Sequence, residues 1–292
     1  MSLWDEIASA IASATGEPFT VQAQRAVGGG CINQAYRLSG DGREYFVKTN
    51  ETSGLAMFEA EAEGLAEMAE ARAIRVPRPV TAGTAGGMAF VAMEYIPMGG
   101  RARPEAVGEQ LAALHRVTRE RFGWHRDNTI GSTPQINTPC DDWVEFWRRH
   151  RLGYQLDLAA RRGLGRRAVS RGEQLAVRFD ALFSDYRPRP SLLHGDLWGG
   201  NAAGDDRGNP VIFDPATYHG DREADLAMTE LFGGFGRGFH DAYDAAWPLD
   251  PGYPVRKVLY NLYHVLNHYN LFGGGYGGQA ESMIDRLLGE LR

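Results

Sequence analysis

The sequence predicts an α+β fold of two lobes, a small antiparallel-sheet lobe followed by a larger, mostly helical lobe. Three observations predict it. The first third alternates short apolar runs with glycine turns, as strands joined by tight connections do. Pro97-Met98-Gly99-Gly100 then breaks the pattern, and Pro and Gly are the strongest local punctuators. Beyond that break the apolar residues recur mainly at helical spacing. Residues 1–96 are therefore expected to form the N-terminal lobe and residues 97–292 the C-terminal lobe. A chain of 292 residues is long enough for each lobe to bury its own core.

Leu3 to Ala14 reads as a leading helix with Ser2 as its N-cap. Strand-like runs follow at about 19–27, 32–38, 43–49, 79–82 and 88–95. Between the third and fourth lies a helix over Leu55–Ala71, dense in Ala, Glu, Leu and Met, all good helix formers. In the second lobe helices are expected at about 103–118, 141–162, 168–184, 222–231, 237–246, 254–271 and 278–291. The segment 191–214 interrupts them with short strands and loops.

Composition narrows the class. Hydrophobic residues make up 43 % and charged residues 23 %, ordinary values for a globular protein. A net charge of −6 argues against a nucleic-acid partner. No apolar run approaches the ~20 residues that span a bilayer, so no membrane partner is expected. Asp5 and Glu6, with no basic segment before an apolar one, do not suit a signal peptide. Two cysteines, Cys31 and Cys140, are too few for a disulfide framework. A cytoplasmic enzyme is the expectation, and the oligomeric state is left open.

The chemistry is concentrated in His194-Gly195-Asp196-Leu197-Trp198-Gly199-Gly200-Asn201, followed by Val211-Ile212-Phe213-Asp214-Pro215. Any one of these tripeptides alone could be a turn. Together they place an acid, an amide five residues later and a second acid after an apolar run, the arrangement of a kinase catalytic loop and its metal ligand. Transfer of a γ-phosphoryl group requires an acid to orient and deprotonate the attacking hydroxyl, and oxygen ligands for magnesium on the phosphates. Asp196 suits the first role. Asn201 and Asp214 suit the second, because Mg²⁺ prefers oxygen and keeps positions for water and phosphate.

A phosphate-gripping half lies upstream. Gly28, Gly29 and Gly30 join two strand-like runs, and glycine lets backbone N–H groups approach an anion closely. Lys48 ends the apolar run Tyr45-Phe46-Val47, the expected place for a lysine that grips the α- and β-phosphates. One of Glu59, Glu61 and Glu63 on the following helix should pair with it. Neither a Walker A loop nor a clean Gly-x-Gly-x-x-Gly is present, since Asn33 occupies the last position. Cys31, next to the glycines, is expected to be an accessible thiol.

These motifs closely resemble those of the fructosamine kinase (ketosamine kinase) family, a branch of the protein-kinase-like fold related to aminoglycoside and choline phosphotransferases. The resemblance runs through Gly28 to Asn33, Phe46-Val47-Lys48, Arg75-Val76-Pro77 and Met93-Glu94-Tyr95. It continues through Leu193 to Trp198, Phe213 to Ala216, Gly220-Asp221-Arg222-Glu223, and Leu266-Asn267-His268 to Phe272-Gly273. It implies ATP and Mg²⁺ as cofactors, Glu61 as the partner of Lys48, and Met93, Glu94 and Tyr95 lining the adenine pocket. It also implies that the 3-hydroxyl of a ketosamine is the acceptor, on a small molecule or a glycated protein lysine.

Trp198, beside the catalytic acid, is either a core residue or a platform for a sugar ring or aliphatic stem. His264 is expected to pack or to face the substrate. His264 and His268 lie four apart on a helix, but with no third ligand evident zinc is not expected. Asp225, near a helix start, is expected to brace the catalytic loop. Two other functions stay open: a phosphotransferase for aminoglycosides, choline or a similar hydroxyl acceptor, and a nucleotide-binding pseudokinase.

Overall fold

Alternation along the strands explains the first half of the chain. In this computed structural model, which describes residues 2–28 and 32–291, Tyr45 and Val47 are buried from one face of a strand while Lys48 turns to the other. The chain divides into two compact units, Met1–Arg103 with Ala202–Pro215, and Pro104–Asn201 with Ala216–Arg292. Gly29, Gly30 and Cys31 lie outside the described residues, so the expectations for them are not addressed by the structure.

The first unit opens with α1 (Leu3–Thr15), where Ser2 and Asp5 form a reciprocal capping box. Strands β1 (Ala23–Val27), β2 (Gln34–Gly40) and β3 (Arg43–Glu51) follow. After α2 (Leu55–Ala71) come β4 (Pro79–Ala85) and β5 (Met88–Glu94). The sheet order is β1-β2-β3-β5-β4, and every pair is antiparallel. One face packs on α1, with Ile7, Ile11, Leu38, Tyr45, Val47 and Phe90 forming a core.

The expected boundary at 96/97 needs correction. Met98–Gly100 is not a linker but strand β6. It pairs with β10 (Ala202–Asp205), which also pairs with β11 (Pro210–Ile212). The first unit therefore extends to Arg103 and recruits the later segment that ends in Asp214 and Pro215. The reason is long-range pairing: Gly100 fits against Gly204, where a Cβ on Gly204 would meet the Ala102 N at 2.5 Å. Arg75 secures the recruited segment through Asp205 at 2.6 Å.

The second unit is mostly helical: α3 (Pro104–His115), α4 (Trp143–Trp147), α5 (Tyr154–Arg161), α6 (Arg166–Arg178), α7 (Glu223–Leu231), α8 (Arg237–Ala246), α9 (Tyr253–Phe272) and α10 (Tyr276–Glu290). The expected 141–162 helix is continuous in direction but carries a π-helical segment over Arg148–Gly153. Here the buried Arg151 guanidinium stacks on the Tyr218 ring at 4.1 Å and donates to Ile136 O and Asn137 Oδ1. A hairpin of β7 (Asn128–Ile130) and β8 (Thr133–Gln135) was not anticipated. Strand β9 (Ser191–Leu193) pairs with β12 (Tyr218–Gly220) and leads directly into His194.

Candidate active site

Helical spacing selects the partner of Lys48. On α2 the residues Phe58, Glu61, Leu65 and Met68 are buried and follow one face of the helix. Glu59 and Glu63 stand off that stripe and are only partly buried. Glu61 alone of the three is thus carried against the sheet, on the face opposite α1, and accepts from Lys48 Nζ at 2.6 Å. Lys48 also pairs with Asp214. Burial disfavours charge on Lys48, but Glu61 and Asp214 outweigh it and raise its pKa above the ordinary lysine range. Burial raises Glu61, against the attraction of Lys48 and with the repulsion of Asp214. The result is a buried cation with two acids, one on the scaffold and one on the recruited segment.

Asp214 has φ +59°, an uncommon conformation for a non-glycine residue. Such a backbone costs about 1–3 kcal/mol and persists where the surroundings impose it, often at functional sites. Gly28 closes β1's end with open space where a Cβ would lie. Met93 is buried in the sheet, opposite Phe46. Glu94 is committed within the unit: its carboxylate accepts from Arg75 at 2.8 Å and its N–H donates to Arg78 O at 2.8 Å. Tyr95 lies under the Arg37 guanidinium at 4.5 Å. The Glu94 carboxylate is therefore occupied within the unit.

In the second unit the loop after β9 is clamped from behind. Asp225 accepts from His194 N at 2.7 Å, from Gly195 N at 2.8 Å and from His115 Nε2 at 3.1 Å. With Nε2 protonated, His115 Nδ1 accepts from the Tyr243 hydroxyl at 2.8 Å. Burial opposes ionisation of Asp225, but the hydrogen bonds from His115 and from the Gly195 N–H hold its pKa below the ordinary value. Gly195 is required: φ is +81°, and a Cβ would sit 2.1 Å from Ala216 O.

This clamp presents Asp196. Its N–H donates to His194 Nδ1 at 3.3 Å. Asn201, at the end of a single 3₁₀ turn, donates from Nδ2 to Asp196 O at 2.9 Å and to Asp196 Oδ2 at 3.3 Å. Trp198 is 41 % exposed, so the core alternative is set aside. Its indole lies over Gly200, where a Cβ would be 2.2 Å from the ring, and its edge meets Phe232 with centroids 6.4 Å apart. Phe232 in turn packs on His268 at 4.9 Å. Sequence reasoning did not single out Phe232, because two exposed aromatics far apart in sequence carry no spacing signal.

His264 differs from Trp198. It is 4 % exposed on α9, and its Nδ1 has no hydrogen-bond partner. Burial pushes its pKa down to about 3. An unfolded chain binds a proton at this residue below about pH 6.5 that the folded chain refuses. Stability from this residue is therefore complete above that pH and falls as the pH drops toward 3. His264→Gln should lose less stability than wild type between pH 7 and pH 5, by about 2 kcal/mol at about 1.4 kcal/mol per unit. Denaturant unfolding at both pH values checks this; equal losses in the two proteins would contradict it.

Asn201 in the second unit and Asp214 in the first each carry an oxygen donor, amide and carboxylate, of the hard type that Mg²⁺ prefers. The hydrogen bonds from Asn201 Nδ2 to Asp196 also orient the amide, with its nitrogen rather than its oxygen toward that acid.

The fructosamine kinase family model matches residues 3–290. A probable ketoamine kinase of Synechocystis is 49 % identical over 291 residues, covering 98 % of this chain and 97 % of the relative. The chloroplastic protein-ribulosamine 3-kinase of Arabidopsis thaliana is 49 % identical over 271 residues, covering 91 % of this chain and 82 % of the relative. A crystal structure of a protein assigned as a fructosamine-3-kinase, from Haemophilus somnus, superposes with a TM-score of 0.88 at 28 % identity. That alignment covers 98 % of this chain and 100 % of the other.

Proposed function

The chain belongs to the fructosamine kinase family, and from that premise we propose that it transfers the γ-phosphoryl group of ATP to the 3-hydroxyl of ketosamines. The fold is α+β and protein-kinase-like, and the activity is an ATP-dependent phosphotransfer to an alcohol group. The observation that carries the chemistry is the Asp196–Asn201 pairing in a loop clamped by Asp225. The acceptor class rests on the relatives, described as ketoamine and protein-ribulosamine kinases.

Each residue takes one task. Asp196 accepts the proton of the sugar hydroxyl as its oxygen bonds to the γ-phosphorus. The bond from that phosphorus to the bridging β-oxygen breaks, and ADP leaves with the electron pair. Lys48, held by Glu61, presents its cation to the α- and β-phosphates. Met93, Glu94 and Tyr95 receive the adenine. Asn201 and Asp214 would hold Mg²⁺, which would supply charge neutralisation for the transferring phosphates. Trp198, with Phe232 beside it, offers an apolar face to the sugar or amine stem. His264, neutral at physiological pH, serves an acceptor hydroxyl only if substrate reaches past its present burial.

Both free ketosamines and glycated protein lysines are proposed as substrates, with ribulosamines preferred over fructosamines because the smaller pentulose needs less room. An ATP-consumption assay against ribulosamines, fructosamines, aminoglycosides and choline tests the assignment. Turnover confined to ketosamines is expected. Turnover of an aminoglycoside or choline, with none on ketosamines, would move the assignment to that alternative, and none on any acceptor would favour the pseudokinase.

Asp214→Ala should weaken Mg·ATP binding and sharply lower turnover, yet barely change ADP binding without metal. Titration calorimetry with and without magnesium measures both. Unchanged Mg·ATP affinity and turnover would remove Asp214 from metal binding.

A further inference from the structure

A cavity of about 430 Å³ in the second unit is lined by Arg116, Arg187, Arg189 and Arg222, together with Ser191 and Trp247. None of these residues was assigned a part in phosphoryl transfer above. The arginines are notable for what they touch. Arg222 is 6 % exposed, yet its guanidinium donates only to neutral oxygens: Trp247 O at 2.8 Å, Pro248 O at 2.6 Å and the Tyr243 hydroxyl at 3.3 Å. Arg116 donates to Ala246 O at 2.7 Å, and Arg187 to the carbonyls of Phe183, Ser184 and Tyr186. Among the described residues no carboxylate forms an ion pair with any of the four arginines. The acids flanking Arg222 in sequence are engaged elsewhere. Asp221 accepts from Tyr186 and Tyr260, and Glu223 is gripped by Arg256 at 2.7 and 2.9 Å.

Arg222 is buried at the floor while Arg116, Arg187 and Arg189 are exposed, and four guanidinium groups around one concavity make a positive site that attracts an anion. Ser191 lines the same cavity. Ser191 is 1 % exposed and its hydroxyl has no hydrogen-bond partner. Its N–H is already spent on Arg189 O at 2.8 Å, and leaving a buried hydroxyl unpaired is unfavourable. Trp247 fixes the arginine planes, with Arg222 over its ring at 4.1 Å and Arg116 at 5.1 Å. Planar guanidinium forks match phosphate oxygens in pairs, better than an ammonium does.

We propose that this cavity binds a small phosphate monoester, its oxygens held by the guanidinium groups and by the Ser191 hydroxyl. The volume suits a phosphorylated polyol or sugar. The same contacts would take inorganic phosphate, so the test separates the two sources. The full-length protein is titrated calorimetrically with inorganic phosphate and with glycerol 3-phosphate, at constant ionic strength. A non-hydrolysable Mg·ATP analogue keeps the nucleotide site filled. Saturable binding stronger for the ester identifies an ester site, and equal binding identifies a phosphate-ion site.

Arg187→Glu/Arg189→Glu, both exposed positions, should weaken binding at least about tenfold, the loss expected when charge-assisted contacts are reversed. Ser191→Ala should weaken it several-fold without lowering the unfolding midpoint. No saturable binding at millimolar concentration, or equal binding by the double variant, would overturn the proposal. Arg222 is left in place because its burial makes loss of folding a competing explanation.

Discussion

Asp196→Asn is expected to give a folded, ATP-binding protein whose kcat has fallen about 10²–10⁴-fold, the range for loss of a general base. The side chain keeps its shape, and the Asn201 bond to the Asp196 main-chain carbonyl is untouched. What is lost is the ability to take the hydroxyl proton. The deficit should appear in kcat and kcat/KM alike, as for an interaction made only in the transition state. Steady-state kinetics with near-wild-type kcat would remove Asp196 from this role.

Asp225→Ala should affect stability most. The substitution strands two backbone N–H groups, of His194 and Gly195, and the buried His115. Leaving a buried donor unsatisfied typically costs about 1–3 kcal/mol for each group. Turnover should fall with it, since the freed loop no longer presents Asp196. Asp225→Asn keeps the volume and one acceptor oxygen, so it should fall between wild type and Ala in both measurements. Chemical denaturation with parallel kinetics tests this. Wild-type stability and turnover in Asp225→Ala would show that the loop is held by other means.

Local patterns made much of the first unit legible. The α2 bounds follow from its composition, and the strands follow from alternation and glycine turns. Lys48 could be placed at the end of an apolar run, which lies inside β3, but choosing Glu61 among three acids took the family resemblance; the structure adds its place on the helix's buried stripe. Non-local pairing was the obstacle elsewhere. Met98–Gly100 reads as a linker because its strand character depends on a partner about a hundred residues away. The β7–β8 hairpin is short and not strongly apolar, so periodicity has little to detect. For Trp198 the residue type alone could not decide between core and surface; its exposure in the fold does. The arginine cavity was invisible, since its members are scattered along the chain and meet only in the fold.

Product analysis tests the central claim most directly. A ribulosamine and ATP are incubated with the wild-type enzyme and with Asp196→Asn, and the products are examined by phosphorus–proton correlation NMR. The account predicts ADP and a phosphate ester coupled to the proton on the third sugar carbon, with formation sharply slowed in the variant. A phosphate on another hydroxyl, or no ketosamine phosphate while another alcohol is phosphorylated, would contradict it.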